Sequence, residues 1–249
     1  MYRYFLHLAY KGTYYHGWQY QPNAVSVQEV MEEKLSMLLR LKIAVIGCGR
    51  TDTGVHASDF YLHFDTEIAI ENPEKLVFQL NSVLPKDIAI FACLPVVEDA
   101  HARFSALTRK YIYYINFIKN PFIQELSYHF KPSIVVARMQ EVAPLFLGKK
   151  DFTSFSKLHT DVNNNFCEVY ELEILPTDKG VEIHISANRF LRNMVRAIVG
   201  TLLEVGEGKK DAKQVMEIIE QKNRAYAGPS VPACGLFLHK IIYPKDIFI

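Results

Sequence analysis

The stretch Leu107–Ile118, "LTRKYIYYINFI", limits the fold of this chain more than any other. A run so rich in Tyr and Ile fits a pleated surface, so it reads as a strand, and a strand requires a sheet to join. Alternation puts Arg109, Tyr111, Tyr113 and Ile115 on one face and Lys110, Ile112 and Tyr114 on the other. An arginine beside aromatics on such a strand fits core and edge packing. Such packing is the commoner case, and the functional alternative is a ring that stacks on an unpaired base.

Further strands are legible on both sides of it. "YRYFLHLAY" (2–10), "KIAVIG" (42–47), "SDFYLHFD" (58–65) and "DIAIFACLPVV" (87–97) precede it, and "CEVYELEIL" (167–175), "GVEIHISAN" (180–188) and "GLFLHKIIYP" (235–244) follow. Helical spacing appears in "SVQEVMEEKLSMLLRL" (26–41), where Ser26 and Glu29 form a capping box and Val27, Val30, Met31, Leu35, Leu38 and Leu39 share a face. "PEKLVFQLNSVLP" (73–85), "ARMQEVAPLFLG" (137–148), "RFLRNMVRAIVGTLLEVG" (189–206) and "AKQVMEIIEQK" (212–222) read as helices too. Hairpins and single helices join the strands. The expected fold is therefore α+β, two similar α/β subdomains with a mixed, largely antiparallel central sheet and helices packed on one face. The expected division is residues 1–120, a connector over 121–134, and residues 135–249.

Composition bounds the rest. With 49% hydrophobic and 22% charged residues over 249 positions, the chain resembles an ordinary packed domain. The N-terminal apolar run is too short for a signal peptide, and no window approaches ~18 consecutive apolar residues, so a cytoplasmic protein without a membrane partner is expected. Cys48, Cys93, Cys167 and Cys234 lie far apart with no C-x-x-C pair. Neither a metal site nor a disulfide framework is signalled, and no cofactor is expected.

Net charge is only +1, but its distribution is uneven. Residues 101–119 carry Arg103, Arg109, Lys110 and Lys119 without an acid, and residues 186–203 carry Arg189, Arg192 and Arg196 without an acid. A basic face for a polyanion can hide inside a neutral total. In "RFLRNMVRAIVG" the three arginines stand at i, i+3 and i+7, so helical geometry places them along one stripe. That stripe is either a solvated face or a rail for phosphates, with one guanidinium turned inward onto a carboxylate.

The loop in "VIGCGRTDTGVHASDF" sets Arg50, Thr51, Asp52 and His56 between two strands. It lacks the spacing of a dinucleotide or phosphate loop. By residue chemistry alone it reads as a hairpin turn in which Asp52 caps backbone amides.

Six motifs taken in order change that reading: "YHGWQYQPNAVSVQ" (15–28), "GRTDTGVHA" (49–57), "HARFSALTRKY" (101–111), "DFTSF" (151–155), "FLRNMVRAIVG" (190–200) and "AGPSVPACGLFL" (227–238). Together, over nearly the whole chain, they resemble the TruA family of tRNA pseudouridine synthases. The resemblance implies an isomerase that needs no cofactor and works as a homodimer. It implies an RNA-binding cleft between the halves for the tRNA anticodon arm, with uridines thirty-eight, thirty-nine and forty as targets. By the same resemblance Asp52 is the catalytic aspartate, Arg50 helps displace the nucleotide, Tyr111 stacks on the uracil and Arg196 pairs with the aspartate. Arg109, Lys110, Arg189 and Arg192 are candidate RNA contacts, while His56, Trp18 and Gln19 take supporting positions. Lys11, Cys48 and Thr53 depart from the residues common in that family, and Thr53 adjoins the aspartate. The rival reading is a tRNA-binding protein or chaperone that kept the scaffold without catalysis.

Overall fold

A computed structural model describes residues 1–157 and 164–249. It falls into two compact units, Met1–Leu107 with Leu238–Ile249, and Thr108–Phe237.

The first unit runs β1 (Tyr2–Tyr10), α1 (Val27–Leu39), β2 (Ile46–Gly47), β3 (His56–Thr66), α2 (Pro73–Val83) and β4 (Ile88–Val96). Strand β1 lies between β3 and β4 and is antiparallel to both, with Leu6 opposite Leu62 on one side and Cys93 on the other. Phe5, Leu6, Leu8, Phe60 and Leu62 are fully buried in its core. Helix α1 contributes Val27, Met31 and Leu35, spaced to fall on one stripe. Its capping box forms, with the Glu29 amide donating to Ser26 Oγ at 3.2 Å and the Ser26 amide donating to Glu29 Oε2 at 3.4 Å.

Segment 42–47 is strand only at Ile46–Gly47. The cause is competition from α1. Glu32 Oε1 accepts from the Val45 amide at 3.0 Å, Ser36 Oγ from the Ile43 amide at 2.9 Å, and Gln28 Nε2 donates to the Val45 carbonyl at 3.2 Å. These backbone groups are satisfied by helix side chains rather than by a ladder.

The second unit contains β5 (Thr108–Asn116), β6 (Tyr128–His129), α3 (Val136–Val142), β7 (Gly148–Asp151), β8 (Phe166–Thr177), β9 (Gly180–Ala187), α4 (Met194–Gly206) and α5 (Ala212–Gln221). The last strand, β10 (Leu236–Ile242), begins here and ends in the first unit beside β3. Strands run in the order β5-β9-β8-β7, antiparallel throughout, while β6 adds a short parallel pair to β5. The α+β class with a mixed, largely antiparallel sheet is thus borne out. Helix α5 is amphipathic and capped by Asp211, whereas α4 is buried along most of its length.

One expectation needs correcting. Helix α4 starts at Met194, and Asn193 before it sits in the left-handed region at φ 68°. A left-handed residue cannot continue a right-handed helix, so Arg189 and Arg192 precede α4 and do not share a helical stripe with Arg196. The Arg192 carbonyl instead accepts from the Lys157 amide at 3.0 Å.

Candidate active site

In the first unit, the Asp52 loop is built from outside its own sequence. Its entry is pinned where the Cys48 amide donates to the Tyr61 carbonyl at 2.8 Å, and its exit where the Val55 amide donates to the Asp52 carbonyl at 3.1 Å. Thr51 and Val55 are buried and flank the half-buried Asp52. Tyr10 Oη and Thr51 Oγ1 are hydrogen-bonded at 3.0 Å. Two glycines elsewhere permit this seat. A Cβ on Gly12 would lie 2.0 Å from the Val55 carbonyl oxygen, and one on Gly17, at φ +82°, would lie 2.2 Å from that of Thr51. Both positions exclude any side chain.

The residues expected in supporting positions do support. His56 Nδ1 accepts from the Gly12 amide at 3.0 Å, which requires the neutral ring with its proton on Nε2. Trp18 is 2% exposed and packs 4.3 Å from the Phe60 ring, over Gly47, where a Cβ would sit 2.5 Å from the indole. Gln19 links the loop to α1: Arg50 Nε donates to Gln19 Oε1 at 3.3 Å, and Gln19 Nε2 donates to Gln28 Oε1 at 2.8 Å. Arg50 is exposed beside Asp52 in sequence. Thr53 is exposed as well, while Cys48 is buried under the loop with its sulfur accepting from the Tyr61 amide at 3.5 Å.

In the second unit, Tyr111 on β5 is 9% exposed, and its ring meets Phe190 edge-on at 5.1 Å. Its neighbour Tyr113 is fully buried and donates to the Pro232 carbonyl at 2.8 Å; burial pushes its hydroxyl well above the ordinary range, so it stays protonated. Arg196, in the first turn of α4, donates through Nε to the Val231 carbonyl at 2.7 Å, and its own carbonyl accepts from the Val231 amide at 3.3 Å. Motifs that lie thirty-odd residues apart are thereby packed together, the start of α4 against segment 227–235.

That packing depends on residues not singled out in the sequence. A Cβ on Gly200 would lie 1.8 Å from the Pro229 carbonyl oxygen, and the Gly228 amide donates to Thr201 Oγ1 at 2.9 Å. Arg224 braces the same segment, donating to the carbonyls of Ala227 at 3.2 Å and Gly228 at 3.0 Å and to Ser230 Oγ at 2.9 Å. Asn193 Nδ2 also donates to Ser230 Oγ, at 2.6 Å. A Gly-Pro-Ser sequence favours a turn, but composition does not say which side chain will hold it.

The remaining basic candidates differ in commitment. Arg109 donates to the Asn188 carbonyl at 3.0 Å. Lys110 pairs with both oxygens of Glu171 at 3.0 and 3.1 Å; burial works against that carboxylate's charge, but the hydrogen bonds from Lys110 and Ser186 hold its pKa below the usual range. Arg189 is half-buried and Arg192 exposed. Among the described residues, no three His, Cys, Asp or Glu side chains converge as metal ligands.

The profile of the tRNA pseudouridine synthase family matches residues 142–244. Proteins called tRNA pseudouridine synthase A match almost end to end: that of Bacteroides fragilis is 49% identical over 247 residues, 99% of this chain and 98% of its own. That of Porphyromonas gingivalis is 46% identical over 254 residues, all of both chains, and that of Chlamydia muridarum 39% identical over 244 residues, 96% of this chain and 91% of its own. The chain belongs to the TruA family of tRNA pseudouridine synthases, which are isomerases.

Proposed function

We propose that the protein isomerises uridine to pseudouridine at positions thirty-eight, thirty-nine and forty of the tRNA anticodon arm, with Asp52 as the catalytic carboxylate. In this reading, Arg50 displaces the target nucleotide from its stack, the Tyr111 ring receives the uracil, and Arg196 pairs with Asp52. The reaction breaks the bond from uracil N1 to ribose C1′ and joins C1′ to C5; the C5 proton leaves and N1 gains one. No electrons are exchanged with a cofactor. A carboxylate acting as nucleophile must be ionised, and enclosure disfavours that form. A guanidinium partner favours it, which is the reason to assign Arg196 to Asp52.

The observation that carries this reading is the Asp52 seat. A turn that only reversed the chain would not need buried Thr51 and Val55 on either side and two glycines opposite that admit no side chain. Such bracing holds one carboxylate to a fixed geometry. The base must leave its stack before the carboxylate reaches it, at a cost of a few kcal/mol, and that step calls for an exposed Arg50 and an aromatic receiver. The same reading carries a homodimer acting in the cytoplasm.

Asp52→Ala tests it. Pseudouridine in an unmodified tRNA transcript should fall to background, while the affinity for that tRNA should stay within a few-fold of wild type. A variant that still turned over normally would remove Asp52 from the chemistry, and a wild-type protein that bound tRNA without forming pseudouridine would be the non-catalytic binder.

A further inference from the structure

We propose that Gln19 is a positioning residue for the reaction: a chain of side-chain amides anchored on α1 holds Arg50 by its Nε and sets it beside the Asp52 turn. This rests on the reading of Arg50 as the group that displaces the target nucleotide. The anchor lies in α1, where Gln28 and Glu32 stand one helical turn apart, both half-buried. Glu32 Oε1 accepts from the Val45 amide at 3.0 Å and from Gln28 Nε2 at 3.1 Å, and Gln28 Nε2 also donates to the Val45 carbonyl at 3.2 Å. With its amide nitrogen so engaged, Gln28 presents Oε1 to the loop side, where it accepts from Gln19 Nε2 at 2.8 Å and from the Tyr20 amide at 3.0 Å. Gln19 then offers its own Oε1, which accepts from Arg50 Nε at 3.3 Å.

The chain can run in one sense only. A carbonyl accepts and a guanidinium donates, so the Val45 carbonyl at one end and Arg50 at the other fix which atom of each amide faces which neighbour. Backbone bonds hold the same residues: the Trp18 amide donates to the Thr51 carbonyl at 3.3 Å, and the Gln28 amide donates to the Trp18 carbonyl at 3.0 Å. Gln19 is thereby carried between the loop and the first turn of α1. Those backbone bonds already fasten the loop, so fastening does not account for a further chain that ends on an exposed arginine. Among the described residues, Gln19 is the one hydrogen-bond acceptor of the Arg50 guanidinium. A solvated arginine loses much rotamer freedom when it is brought to a single place. Holding Nε reduces that loss in advance, and it leaves both terminal nitrogens for a phosphate or for the space a displaced base vacates.

The test is a double-mutant cycle on an unmodified tRNA transcript. Gln19→Met removes both amide bonds and keeps the length of the side chain. The single-turnover rate of pseudouridine formation should fall roughly three- to tenfold, the size of one hydrogen bond, with the Kd for tRNA unchanged. Because Gln19 is exposed, the melting temperature should stay within a few degrees of wild type. In an Arg50→Ala background the same substitution should cause no further loss of rate, since Gln19 acts through Arg50. Gln19→Glu should be slow too: its carboxylate can accept from Arg50, but its second oxygen meets Gln28 Oε1, which cannot turn away without setting oxygen against the Val45 carbonyl. A wild-type rate for Gln19→Met, or losses that simply add in Arg50→Ala/Gln19→Met, overturns the proposal. So does Gln19→Glu at or above wild type, which would make any acceptor sufficient. Normal turnover by Arg50→Ala would remove the role read for Arg50 and the chain with it, whereas a slow Arg50→Ala beside a normal Gln19→Met removes the chain alone.

Discussion

Gly200→Ala sets two physical effects against each other. In a helix interior, alanine for glycine is expected to stabilise by about 0.5–1 kcal/mol, because glycine loses more backbone freedom on folding. In this fold the added methyl would lie 1.8 Å from the Pro229 carbonyl oxygen and 3.0 Å from its carbon. An ordinary contact is roughly 3.5 Å, so segment 227–231 must retreat by more than about 1.5 Å. That retreat strains or breaks the bonds across the contact: Gly228 amide to Thr201 Oγ1, Val231 amide to the Arg196 carbonyl, and Arg196 Nε to the Val231 carbonyl. At about 1 kcal/mol for each bond, plus 1–3 kcal/mol for overpacking, the loss is about 4–6 kcal/mol, which outweighs the helical gain and leaves a net cost of about 4 kcal/mol. Thermal unfolding followed by circular dichroism should show a midpoint lower by roughly 8–16 °C for a chain of this size. Because the contact also holds Arg196, kcat should fall in protein that is still folded at the assay temperature. A midpoint equal to or above wild type would mean that the close approach of α4 and segment 227–231 does not exist in solution, and the placement of Arg196 would go with it.

Arg224→Ala should also lower both the melting temperature and kcat, since it leaves two carbonyls and Ser230 Oγ without their charged donor, and a hydrogen bond to a charged group is worth ~1.5–3 kcal/mol. Arg224→Lys should recover only part of each, as one ammonium cannot span three acceptors in a planar fork; full recovery would show that charge alone is needed. His63 supplies a pH prediction: burial, with His101 and Arg3 adding to it, pulls its pKa down to about 4. The unfolded chain takes up that proton first, near its ordinary value of about 6.5, so stability should fall on acidification between roughly pH 6.5 and 4, by up to ~1.4 kcal/mol per pH unit. Denaturant titrations of His63→Gln should show a shallower loss across that window, and an unchanged slope would remove His63 from the acid response.

Much of the architecture was legible because its causes are local. Ser26 and Glu29 announce α1 three residues apart, and their two hydrogen bonds form as the pattern requires. The run through Tyr111–Ile115 can only be a strand. Local signals failed in two places: α1 side chains took the backbone bonds of segment 43–45, and the left-handed Asn193 cut the helix that periodicity extended back to Arg189. The site shows the same division. Asp52 and Arg50 are visible as residue types in one loop, but by themselves they describe a turn. Gly200 and Gly12 carry no local mark of their roles, because each meets a segment tens of residues away.

The α+β class, most element positions and, through six ordered motifs, the family can all be read along the chain. Periodicity, capping and turn chemistry act over a few residues, so they can be read in order along the chain. Tertiary structure alone decided that β10 leaves the second unit to lie beside β3, that α4 begins at Met194, and that Lys110 is spent on Glu171. It also decided which glycines must lack a side chain. Those outcomes depend on backbone approaches of a few ångströms between remote segments, and a linear pattern does not encode which segments will meet.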